Sequence, residues 1–103
     1  MAAEVRRVEQ PGIRPGALVR SLAGRDQGTC YVVLRQVDER RVAVINGRQR
    51  AADRPKLKNR RHLAVLGWVE ANLALRLERG DRVSDVEVMK ALETLSSQAL
   101  EEV

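Results

Sequence analysis

Apolar residues recur along this chain in two rhythms. Up to Gly67 they come in short runs, broken by glycine, proline and charged residues; beyond it they return every three or four positions. The first rhythm is that of strands and the second that of helices. Ala17 to Leu22 reads as a short strand, introduced by the turn signal Pro15-Gly16. Residues 23–28 form a loop with a glycine near each end. Thr29 to Val37, rich in β-branched and apolar residues, reads as a longer strand. Asp38-Glu39-Arg40 is a polar turn, and Arg41 to Ile45 the next strand. Asn46-Gly47 predicts a two-residue type I′ turn, in which both residues take positive φ, with Arg48 to Ala52 as the return strand. Asp53-Arg54-Pro55 breaks that strand, and residues 62–66 supply a last one. Five short strands in about 50 residues predict a small barrel, because closure removes free edges that short strands cannot protect.

After Gly67, Val69, Leu73 and Leu77 fall at helical spacing, with Gly80 as the residue that stops the helix. Ser84-Asp85-Val86-Glu87 has the form of a capping box. Behind it Val88, Ala91, Leu92, Leu95 and Ala99 mark one apolar helix face. The expected organisation is a lead-in over 1–15, a barrel over 16–67 and a helical pair over 68–103. The fold class is mainly β, a small five-stranded barrel followed by two short α-helices.

Composition sharpens this picture in two ways. Phe is absent and Trp68 and Tyr31 are the only aromatics, so the core is aliphatic. Charge is divided unevenly: residues 1–67 hold 15 Lys/Arg against 6 Asp/Glu, and residues 68–103 hold 4 against 8. A chain of net charge +5 that gathers its cations in one part is expected to present that part to a polyanion. Cys30 is alone, which excludes an internal disulfide and fits a reducing compartment. No segment approaches the roughly 18–20 apolar residues of a membrane span, and the N-terminus has no apolar run of signal-peptide length. The expected location is the cytoplasm, with no membrane partner.

The stretch from Gly16 to Gly28 (GALVRSLAGRDQG), followed by Cys30-Tyr-Val-Val-Leu34, resembles the KOW motif. It carries Gly16, Val19, Ser21, Gly24 and Gly28, then the apolar strand. Asn46-Gly47 and the basic Pro55-Lys-Leu-Lys-Asn-Arg-Arg-His62 fit the same pattern. More narrowly, the chain resembles the branch containing the archaeal and eukaryotic large-subunit ribosomal proteins numbered fourteen, and bacterial KOW-domain RNA-binding proteins related to them. The resemblance covers about residues 16–66, and residues 77–92 look like the tail of the bacterial relatives. It implies an SH3-like barrel that binds RNA, ribosomal RNA or a ribosomal particle foremost.

The residue chemistry suits that partner. Arg54, Lys56, Lys58, Arg60 and Arg61 place five cations within eight residues, which repel one another unless an anion is near. Arg25 projects from the glycine-flanked loop, where Asp26 is expected to accept from loop amides or to pair with Arg25. The expected RNA contacts are Arg20, Ser21, Arg25, Arg48, Arg50, Arg54, Lys56, Lys58, Asn59, Arg60 and Arg61. With so few aromatics, recognition is expected to run through RNA shape and backbone, with arginine forks on phosphates. Tyr31 points into the core or outward, and Trp68 is expected to pack at the barrel–helix junction.

No enzyme chemistry is legible. His62 is the only histidine, no group of residues has metal-ligand spacing, and the glycine loop lacks the Gly-Lys-Ser/Thr of a phosphate-binding loop. Cys30 is expected to be a small core residue. No catalytic residue, metal, cofactor or small-molecule substrate is expected. The competing expectation is a protein-interaction module or accessory factor of transcription or translation, docking a protein through the barrel or the C-terminal helices.

Overall fold

A computed structural model describes residues 13–102, with side chains to residue 95. The elements are β1 (Ala17–Ser21), β2 (Cys30–Gln36), β3 (Arg41–Ile45), β4 (Lys56–Asn59), a 3-10 turn (Arg60–His62), β5 (Leu63–Trp68), α1 (Ala71–Glu78) and α2 (Asp85–Glu102). The strands form one antiparallel sheet in the order β4-β3-β2-β1-β5. Leu34 and Leu66 are extra residues where the registers shift, between Val33 and Arg35 and opposite Leu18/Val19. Bulges of this kind bend a strand and increase its twist. The sheet curls far enough for the Lys58 side chain of β4, at one outer position, to reach the loop between β1 and β2.

Both faces of the three central strands are covered. Ala17, Val19, Tyr31, Val33, Val42 and Val44 point into the concave side, where Leu63 and Ile13 join them. Their alternates Leu18, Val32 and Ile45 point the other way, onto Val69, Leu73, Leu77, Val83 and Val88. The uninterrupted apolar runs of β1 to β3 follow from this, since a strand buried on both sides cannot alternate with polar residues. The helices therefore share a core with the sheet. Ala91, Leu92 and Leu95 of the expected α2 face pack against it, while the Ala99 side chain lies outside the described residues.

The sequence-based boundaries shift in several places. Ile13, assigned to the lead-in, is 5% exposed and belongs to the barrel core; residues 1–12 of that lead-in lie outside the described residues. Trp68 ends β5 and is not the start of a helix. α1 begins at Ala71, where the Glu70 carboxylate accepts from the amides of Asn72 and Leu73. It ends as expected at Gly80: the Asp81 amide donates to Arg76 and the Gly80 amide to Leu77, the paired bonds of a Schellman motif. Half of the capping box forms, with the Glu87 amide donating to Ser84 Oγ. The Glu87 carboxylate turns instead to Arg76 of α1, 2.9 Å away. α2 runs for 18 residues and is not short.

The largest correction concerns Asn46-Gly47. Only glycines have positive φ among the described residues, so Asn46 is not in a type I′ turn. Its Oδ1 accepts from the amides of Arg48 and Arg50, which closes a wider loop. Arg48 to Ala52 is not a strand. The partner of β3 is β4, paired Val44 with Lys56 through Arg41 with Asn59. Half of the basic segment is thus a strand and not a loop.

Candidate nucleic-acid interface

The loop over residues 22–29 is held by its own backbone. The Gly28 amide donates to the Ser21 carbonyl, the Ser21 amide to Thr29, and the Thr29 amide to Asp26. At its centre Asp26 accepts from Tyr31 Oη at 2.6 Å, from Ser21 Oγ at 3.0 Å and from Lys58 Nζ at 3.1 Å, with Lys56 Nζ at 3.5 Å. Lys58 also donates to the Ala23 carbonyl. Asp26 therefore gathers side chains from β1, β2 and β4, where the sequence suggested loop amides or Arg25. Burial would raise the Asp26 carboxyl, but the bonds from Tyr31, Lys58 and Ser21 outweigh it and hold the group well below the usual carboxylate range. Burial, followed by the bond to Asp26, pushes the Tyr31 phenol well above its ordinary value, against the opposing charge of Arg50.

This arrangement sorts the expected contact residues. Ser21 is 1% and Lys58 8% exposed, so both build the loop from inside and neither lies on the surface. Tyr31, 3% exposed, points inward. Around them stand Arg25, exposed at the loop tip, Lys56, half-buried on β4, and Arg50, close enough to act on Tyr31. Arg54 is exposed in the turn leading to β4. Arg25, Arg50 and Lys56 thus stand around the Asp26 loop, with Arg54 two residues before Lys56 in the chain.

A second group lies at the other end of β4, about 10 Å along the strand. The Arg60 amide donates to the Arg40 carbonyl, and Asn59 Oδ1 accepts from the Arg61 amide, which starts the 3-10 turn. Arg40, Asn59, Arg60 and Arg61 line a small cavity of about 200 Å³ there with Glu39. Arg40, absent from the expected contacts, belongs to this group, and its adjacency to Arg60 arises only from β3–β4 pairing. The neighbouring Arg41 is held by Asp38, whose carboxylate accepts from its guanidinium and from the amides of Arg40 and Arg41. Those bonds hold the Asp38 carboxyl below its usual value. Arg48 stands apart beside Met89, Leu92 and Glu93 of α2. Arg20 is exposed on β1, opposite Cys30 and Ala64.

Cys30 is partly buried at the start of β2. Among the described residues there is no cluster of His, Cys, Asp or Glu able to hold a metal, and no helix long and apolar enough to cross a membrane. The chain matches no protein-family model and no curated protein sequence.

Proposed function

We propose that this chain is an RNA-binding protein of the translation machinery, contacting ribosomal RNA or a ribosomal particle in the cytoplasm through its basic barrel face. One observation carries the proposal: Lys56 and the buried Lys58 both reach the Asp26 carboxylate of the pinned loop that carries Arg25, with Arg50 beside Tyr31. Repulsion within such a group is relieved when phosphates are near, and release of counterions from the RNA adds to the gain. The loop needs little ordering on binding, because its side-chain and backbone bonds already fix it, which lowers the entropic cost of docking. The Arg40/Arg60/Arg61 group extends the face along β4, so one backbone can engage both ends. The KOW-like pattern of residues 16–66 points the same way.

Docking of a protein by the helices has less support. The apolar faces that suggested it, Leu73, Leu77 and Val88, are buried against the sheet. Gradient sedimentation of the tagged chain with crosslinking tests the proposal. Co-migration with ribosomal particles, and crosslinks to ribosomal RNA at β4 and the Arg25 loop, are expected. Migration as free protein, with no RNA crosslinked, would overturn it.

A further inference from the structure

Trp68 is the only tryptophan and the largest side chain of the molecule, yet 44% of it is exposed. It closes β5 opposite Ala17, and the Arg14 guanidinium stands 5.0 Å from the centre of its ring. The extra residue Leu66 resets the strand so that Val65 and Trp68, opposite Val19 and Ala17, share one face at the edge of the sheet. Val65 is 41% exposed beside it. Trp68 also borders a cavity of about 320 Å³ between the helices, lined by the apolar Val69, Leu73 and Ala91. That is the lower end of the range for ligand sites, suited to one planar ring system.

The lining charges balance, Glu70 and Glu87 against Arg76 and Lys90, and Arg14 beside the Trp68 ring adds one cation. Of the two carboxylates, Glu70 is engaged by the amides of Asn72 and Leu73, and Glu87 by Arg76. Indole rings and guanidinium planes are the two kinds of surface on which unpaired bases stack. β5 itself starts directly behind Arg60-Arg61-His62, so Trp68 lies about 17 Å along the strand from that cationic turn. We infer that Trp68 and Arg14 form a stacking site for one unpaired base of the bound RNA, with Lys90 near its phosphate. This rests on the RNA-binding function proposed above and narrows its ligand to RNA with a single-stranded stretch next to the backbone-contacting face.

Because Trp68 is the sole tryptophan, its fluorescence reports on the site directly. The full chain is titrated with a labelled oligoadenylate of about ten nucleotides, and in parallel with an RNA duplex. Quenching of Trp68 by the single strand and little response to the duplex are expected. Trp68→Leu, which keeps apolar packing, should weaken single-strand binding roughly five- to a hundred-fold and leave duplex binding within about twofold. Trp68→Phe should retain most of the affinity, with unchanged melting of both variants as the control for folding. Equal single-strand affinity of Trp68→Leu and the parent, or a silent Trp68 with salt-sensitive RNA binding intact, overturns the stacking site alone. Failure of the parent to bind either RNA overturns both proposals. A Trp68 response to protein concentration without RNA assigns the ring to a contact between copies and also overturns the inference.

Discussion

Lys58 Nζ lies 3.1 Å from Oδ1 of Asp26, joining an outer strand of the sheet to a loop 32 residues earlier in the chain. The contact links the fold to the proposed RNA-binding face, since the same carboxylate that fixes the Arg25 loop anchors the strand carrying Lys56. Its two members are not equivalent. Asp26→Asn leaves a buried ammonium without its counterion and is expected to cost roughly 3 kcal/mol. Lys58→Met leaves Asp26 with Tyr31, Ser21 and Lys56, and is expected to cost about 1–2 kcal/mol. Urea denaturation of both variants checks the order, and the double variant should recover part of the Asp26→Asn loss.

The same carboxylate sets an acid limb of stability. Its folded pKa lies below the unfolded value of about 3.9, so the unfolded chain takes up the proton first as pH falls. The stability it contributes is present above about pH 4 and is lost as pH falls below that value toward the folded pKa. The gap in melting temperature between the parent and Asp26→Asn should be constant at neutral pH and shrink below about pH 4. Tyr31 has the opposite sense. Its raised folded pKa gives a stability that is present below about pH 10 and is lost on further alkalinisation. As the chain has one tyrosine, its absorbance titration should begin well above that of a free phenol.

Gly47 separates conformational strain from steric contact. It has φ +77°, and a Cβ there would meet the Asp85 carbonyl oxygen at 2.6 Å and Met89 Cγ at 2.8 Å. Gly28 has a similar φ of +93° but nothing within 4 Å. Gly28→Ala should cost about 1 kcal/mol, the conformational term alone. Gly47→Ala should cost at least about 2 kcal/mol more, because α2 must also shift from the β3–β4 loop. Thermal melts compare the two, and hydrogen exchange should show the extra loss in the first turns of α2.

The basic face divides into exposed and buried cations with different tasks. Arg25→Ala, Arg50→Ala and Lys56→Ala should each weaken RNA binding and reduce its salt slope by about 1, with stability within about 1 kcal/mol of the parent. Lys58→Ala should lower stability first. Filter binding at several salt concentrations beside a denaturation curve distinguishes the two classes.

Much of the fold is legible in the sequence where a local signal dominates. Arg41–Ile45 is bounded as expected, β1 and β2 within a residue or two, and Gly80 ends α1 where its position predicts. The failures lie where a distant partner decides. Lys56-Leu57-Lys58-Asn59 reads as a charge run, and becomes a strand only because β3 offers it a free edge. Asn46-Gly47 reads as a tight hairpin, but the Asn46 side chain binds the amides of Arg48 and Arg50 and holds a wider loop, which moves the return strand eight residues on. Nothing local marks Lys58 as buried, or Ser21 as its neighbour, because Asp26 is brought to them by the curl of the sheet. The half-exposed Trp68 is likewise invisible to helical periodicity, which assigned it to the next element.

The central claim is that clustered cations beside the Asp26-pinned loop bind RNA phosphates. The slope of log affinity against log salt, measured for the full chain with a structured ribosomal RNA fragment, tests it most directly. About six neutralised phosphates give a slope of roughly −4 to −5, falling by about half when Arg25, Arg50 and Lys56 are together replaced by Ala. An affinity that stays flat between low and moderate salt, or a slope unchanged in the triple variant, would contradict it.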